Sequence, residues 1–153
     1  MAAHAAGVVV VTAPGGNSPV GLTATSFTSV SITPPLVSFY VGATASSWPG
    51  IRDASVFAVN VLDASQQELA TRFATSGVDR FAAPTRWRGG PDGVPLLDGA
   101  IAHILCRRHD ILAVGDHWLV VGRVTAAAAA ADPTEPLLYH RGDYVRIYRP
   151  GGG

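Results

Sequence analysis

Runs of β-branched and apolar residues, each cut short by a Gly/Pro cluster, recur along this chain, and no βαβ rhythm links them. The first, 7–12 (GVVVVT), is closed by the turn cluster Pro14-Gly15-Gly16-Asn17-Ser18-Pro19, and 20–25 follows as its hairpin partner. Pro34-Pro35 forces an extended entry into a third run, 36–41 (LVSFYV), of buried character. Further strands are expected at 57–62, 99–108, 111–114 and 118–125, and Arg141-Gly142 reads as the turn before a last strand, 144–148. Helical signals are few. Asp63 with Gln66 three residues on makes a capping-box-like start, and Leu69, Ala70 and Phe73 share one face, so 64–75 is the clear helix, ended by Gly77. The segment 78–99 reads as an irregular loop that is functional or orders on binding, if it is not a disordered tether, and 126–131, all alanine, as a connector. The expected class is mainly β, an antiparallel barrel with short helical insertions, in one domain spanning 1–153.

Charge excludes several functions. Eleven basic residues balance eleven acidic ones, so the basic footprint of a nucleic-acid module is missing. All eleven are Arg, which rules out a lysine Schiff base and a Walker-type phosphate loop. The single cysteine, Cys106, excludes an internal disulfide and reads as a small packed hydrophobe. His103, His109 and His117 show no ligand spacing for zinc or iron, so no metal is expected. No run reaches the ~18 to 20 apolar residues of a membrane span, and no charged region with a signal core opens the chain, so a cytoplasmic protein is expected. At 48% hydrophobic and only 14% charged residues, some apolar surface is expected to face a ligand or a second subunit, which points to a homodimer.

Two polar stretches stand out against this background. Residues 21–31 (GLTATSFTSVS) gather six Ser/Thr around Phe27 and offer hydroxyls and backbone N–H groups to an anion or a flat polar ring, if they are not simply a polar strand. Ser46-Ser47 before Trp48-Pro49 has the composition of a helix start, where free N–H groups attract a phosphate.

Taken in order, GVVVVTA, GLTATSFTSVSITPPLVSFYV, SSWPGI, FAVNVL, QQELATRFA with DRF, PLLDGAIAHILC, GDHWLVVGRV and PLLYHRGDY resemble the flavin reductase domain family over residues 7–148. The resemblance implies an FMN-binding split barrel of antiparallel strands. It also implies hydride transfer from NAD(P)H to FMN or FAD, with reduced flavin passed to a partner monooxygenase. A flavin-binding electron-transfer protein without nicotinamide activity, and a flavin enzyme acting on an organic substrate, are the alternatives. By the resemblance, Thr23, Ala24, Thr25, Ser26, Phe27, Thr28 and Ser29 line the flavin, with Thr25 where the family usually has Asn. Thr44, Ser46 and Ser47 hold its phosphate, with Arg52 adding charge just beyond. Arg80 and Phe81 touch flavin or nucleotide, and Arg141 and Tyr144 touch the ring or ribityl chain. His117 of the Gly115-Asp116-His117 motif positions the nicotinamide, with Asp116 as turn former or imidazole partner. Members commonly carry a helical lead-in; here 1–6 precedes the first strand. The absence of a catalytic triad agrees with this chemistry, because hydride passes directly between two stacked cofactors.

Overall fold

Four consecutive valines can form a strand only if both sheet faces are covered, since successive side chains point to opposite sides. A computed structural model of the protein, describing residues 3–132 and 134–151, provides that cover. Every residue of β2 (Val9–Ala13) is buried. Val9, Val11 and Ala13 enter one core, while Val8 and Val10 enter a second with Ala70, Phe73 and Leu97.

β2 lies inside a seven-stranded antiparallel sheet in the order β3-β2-β6-β9-β10-β5-β4. Its other members are β3 (Val20–Ala24), β4 (Thr28–Ser31), β5 (Leu36–Gly42), β6 (Val56–Val61), β9 (Ala102–Val114) and β10 (His117–Ala129). The ladder is open, with β3 and β4 at its edges. Even so, Leu22 and Ala24 of β3 share one core with Phe39 and Val41 of β5 and Phe57 of β6, so the sheet curls around its apolar face. Phe39 meets Phe57 edge to face at 5.4 Å. The expected β-rich antiparallel class is observed.

Two short helices sit against this sheet. α1 (Trp48–Asp53) is held by Trp48 stacked on Trp118 of β10 at 5.3 Å. α2 (Gln67–Phe73) buries Ala70 and Phe73. It is shorter than the helix expected at 64–75, because Asp63 and Gln66 bond each other's surroundings ahead of it. The Asp63 N–H donates to Gln66 Oε1 at 2.9 Å and the Ser65 N–H to Asp63 Oδ2 at 2.8 Å.

Other boundaries also differ from expectation. The 7–12 run splits into β1 (Ala6–Gly7) and β2, because Val8 changes partners: its N–H donates to Leu137 O and its carbonyl accepts from Leu62. β1 pairs with β11 (Leu138–His140), which pairs with β12 (Asp143–Val145), a last strand shorter than 144–148. The two strands expected at 99–114 are one, β9. The alanine run is no connector, since Ala126 to Ala129 pair with Leu105 to Ala102. A neighbouring strand that satisfies every backbone group outweighs the helical preference of alanine. The 78–99 segment contains a small hairpin, β7 (Trp87–Gly89) with β8 (Pro95–Leu97), around a 3-10 turn at Pro91–Gly93.

A buried polar network missed by the sequence ties these pieces together. Asn60, fully buried on β6, donates to Val10 O at 2.9 Å and to Thr12 Oγ1 at 3.0 Å, and its Oδ1 accepts the Leu97 N–H at 3.0 Å. Thr12 donates onward to Pro95 O at 2.6 Å.

Candidate functional site

β3 ends at Ala24, and the chain crosses toward β5 through Thr25 and Ser26. Ser26 Oγ accepts the Tyr40 N–H at 2.9 Å, which fixes this crossing to β5. Thr23 donates to Ala70 O at 2.6 Å and anchors β3 on α2. The N–H groups of Thr25 and Ser26 have no hydrogen-bond partner among the described residues. Thr25 and Ser26 line a cavity of about 430 Å³ whose lining also includes Ala24, Tyr40, Ser46, Ser47, Arg80 and His117.

One corner of that cavity is built for an anion. Ser47 stands at the N-cap of α1, yet its hydroxyl makes no capping bond. The amides of Ser46 and Ser47 have no partner among the described residues either. The helix itself offers less than its sequence promised: it is six residues long, Pro49 has no N–H, and those of Trp48 and Ile51 already bond Ala45 O and Ser47 O. The positive charge comes instead from Arg80. Its Nη1 donates to Gly21 O at 2.7 Å, and its Nε and Nη2 donate to Thr75 O at 3.2 and 3.1 Å. These partners are carbonyls, so the guanidinium is fixed but not neutralised, and burial pushes its pKa below the usual value. No Asp or Glu lines the cavity. Two hydroxyls, two unpaired amides and one uncompensated guanidinium form a donor set suited to a phosphate.

The loop carrying Arg80 is well tethered. Arg72 donates to the carbonyls of Asp79 and Arg80 at 2.8 and 3.4 Å, and Thr85 donates to Arg80 O at 2.6 Å. Phe81 sits edge to face between Phe73 at 5.1 Å and Trp87 at 5.4 Å.

His117 opens β10 opposite Gly42 of β5, after a turn that requires Gly115 at φ +57°. Its Nδ1 lies 2.6 Å from Asp116 Oδ1. The Nδ1–H therefore donates to the carboxylate and leaves Nε2 for a ligand. The same bond holds the Asp116 carboxyl below its usual range. Tyr40 meets the imidazole edge on at 6.5 Å. Sequence reasoning missed Tyr40 because it lay within an apolar run; alternation with buried Phe39 and Val41 marks it as facing the other side.

A second cavity, of about 650 Å³, shares Thr25, Ser26 and Tyr40 with the first and includes Phe27, Thr28 and Arg141. The structure thus brings Thr23, Ala24, Thr25, Ser26, Ser46, Ser47, Arg80 and His117 around one cavity, and Phe27, Thr28 and Arg141 around its neighbour. Phe81 lines a smaller recess of about 250 Å³ that it shares with Ser46, Ser47 and Arg80. Ser29 and Thr44 are exposed and outside both linings: Ser29 sits on edge strand β4, and Thr44 on the turn leaving β5. Tyr144 packs against Tyr139 at 5.2 Å over the α2 core, where an aromatic on β12 finds its apolar neighbours. Arg52 instead pairs with Asp53 at 2.9 Å.

Comparison with known proteins identifies the family. Residues 1–148 match the sequence profile described as Flavin reductase like domain. The chain is 45% identical over 146 residues to the NADH:FMN oxidoreductase of Rhodococcus qingshengii, covering 94% of this chain and 76% of that protein. It is 38% identical to a reductase subunit of a flavin-dependent monooxygenase from Rhodococcus jostii, covering 92% and 71%. Among solved structures, the Streptomyces globisporus NADH:FAD oxidoreductase, in complex with NAD and FAD fragments, superposes with a TM-score of 0.90 at 38% identity, covering 99% and 90%.

Proposed function

The chain belongs to the Flavin reductase like domain family, and on that premise we propose that it is an NAD(P)H:flavin oxidoreductase whose flavin occupies the first cavity. The observation that carries this reading is the pairing of two adjoining cavities across the Thr25–Ser26–Tyr40 wall, one of them ending in a phosphate-type donor set. Ser46, Ser47 and Arg80 hold the phosphate. The free amides of Thr25 and Ser26 face the ring edge, where N–H donors favour a reduced, more negative ring. When bound, flavin accepts a hydride at N5, so the protein needs no acid or base of its own. His117, with Nδ1 engaged by Asp116, presents Nε2 to the nicotinamide and orients it from the mouth between β5 and β10. Steady-state oxidation of NADH or NADPH, with free FMN or FAD added, tests the reading. Turnover that rises and saturates with flavin supports it, and none with either nucleotide at saturating flavin refutes it.

The finer features follow from the same reading. The curled, open sheet is a split barrel, and the chain is a single domain of this type working in the cytoplasm. No helix among the described residues is long and apolar enough to cross a membrane. The likeness to a monooxygenase reductase subunit supports a monooxygenase as recipient of the reduced flavin. Exposed Leu112 and Val114 on the outer half of the β9–β10 hairpin, with Ile32 88% exposed on the β4–β5 turn, support a homodimer that covers them. Light scattering on an eluting peak distinguishes dimer from monomer.

A further inference from the structure

The second cavity holds one strong cation and no carboxylate. Arg141 lines it, on the two-residue turn that joins β11 to β12. Both turn residues have positive φ, +53° at Arg141 and +81° at Gly142, the geometry of a tight hairpin that fixes where its side chain starts. Several other arginines of the chain are spoken for: Arg52, Arg88, Arg107 and Arg149 pair with carboxylates, while Arg72 and Arg80 donate to backbone carbonyls. Arg141 is exposed and makes no ion pair or hydrogen bond among the described residues. Around it stand Phe27, Tyr139 and Tyr40, aromatic surface suited to a base or a nicotinamide, and the hydroxyl of Thr28.

Dinucleotide sites that select the unphosphorylated nucleotide place a carboxylate on the ribose 2′-hydroxyl, which repels a 2′-phosphate; sites that accept the phosphate offer an arginine. The second cavity has the arginine and lacks the carboxylate. Resting on the hydride-transfer reading above, we propose that the nicotinamide dinucleotide enters through the second cavity and that Arg141 is its specificity-determining residue. Arg141 binds the 2′-phosphate, so the protein takes NADPH as well as NADH. This assigns Arg141 to the hydride donor rather than to the flavin ring, and it places the two ligands in adjoining cavities that share Thr25, Ser26 and Tyr40.

The test compares the wild type with Arg141→Asn, chosen because Asn tolerates the positive φ of this turn, and with Arg141→Lys, which keeps the charge. Calorimetric titration with NADP+ and with NAD+ reads the nucleotide site directly, and fluorescence titration with FMN reads the flavin site. Loss of a charge-assisted phosphate contact predicts NADP+ binding weakened about tenfold or more by Arg141→Asn, with NAD+ changed less than about threefold. Arg141→Lys should retain most of the NADP+ affinity, FMN affinity should stay unchanged, and the Michaelis constant for NADPH should follow the NADP+ result. Equal weakening of both nucleotides, no weakening, or loss of FMN affinity instead would overturn the assignment. A wild type that binds NAD+ and oxidises NADH but ignores NADPH also overturns it, while leaving flavin reduction standing. A wild type that oxidises neither nucleotide with flavin present removes the underlying reading itself.

Discussion

Arg80 Nη1 donates to the carbonyl oxygen of Gly21 at 2.7 Å, which pins a guanidinium from the loop after α2 across the start of β3. Gly21 is also where α2 comes closest, since an added Cβ there would lie 2.8 Å from the Phe73 ring. Because carbonyls alone hold it, Arg80 keeps its full charge for a ligand. Replacing Arg80 with Met, which retains the packed stem, should weaken FMN binding by about 1.5 to 3 kcal/mol, the scale of a hydrogen bond to a charged group. Flavin fluorescence titration measures it, and unchanged affinity would place the phosphate elsewhere.

Ser46 and Ser47 supply the same anion with neutral donors. The double change Ser46→Ala with Ser47→Ala should cost about 1 to 3 kcal/mol of FMN affinity. Since the Ser47 hydroxyl caps nothing, the melting temperature should move little. A large loss of stability with normal flavin affinity would instead make these serines structural.

Asp116 fixes His117 through a 2.6 Å bond, and the carboxyl is held below its usual range chiefly by that bond. A depressed pKa means the interaction is present above the ordinary carboxylate range and is lost only as pH falls through the lowered folded value. Asp116→Asn, which removes the charge, and His117→Ala should both raise the Michaelis constant for NAD(P)H and leave FMN affinity nearly intact. Raised flavin dissociation with normal nucleotide kinetics would refute the role given to His117.

Asn60 satisfies three partners in a site with no water access, so Asn60→Ala should lower unfolding free energy by about 2 to 4 kcal/mol, from the stranded Leu97 N–H and the vacated volume. Urea unfolding reads this. Loss below about 1 kcal/mol would mean the network is replaceable.

Cys106 is 2% exposed, and burial pushes its thiol up to about 12. The folded protein should therefore resist thiol reagents at neutral pH and react only on unfolding. The folded state keeps the proton longer than the unfolded chain, whose reference value is 9.0, so this stability contribution is intact below 9.0 and is eroded as pH rises from there toward about 12. Rapid labelling of the native protein would contradict this burial.

Much of this was legible in the chain. The β-branched runs declared their strands because burial on one or both faces leaves a local pattern, and the Gly/Pro clusters marked the turns between them. The alanines of β10 were not legible, because their strand character is lent by β9 and no local preference records it. Asn60 was hidden for the same reason: a polar residue inside FAVNVL looks outward-facing until Thr12 and Leu97, far away in sequence, arrive to bond it. At the site, Ser46, Ser47, Arg80 and His117 were read from motifs, and the structure gathers them. Tyr40, which divides the two cavities, was missed because it shares a strand with core residues. The aromatic packing of Phe81 on Phe73 and Trp87, and of Tyr144 on Tyr139, was not legible, since an aromatic's packing partners cannot be seen from its own neighbours in sequence.

The central claim is that the two adjoining cavities bring a nicotinamide and a flavin into contact. Anaerobic mixing of the protein and FMN with NADH or NADPH, followed through the visible flavin absorption band, tests it most directly. The account predicts bleaching of the band at a rate that saturates with nucleotide and falls in the His117→Ala variant. A band that keeps its intensity with both nucleotides, while flavin is bound, would contradict it.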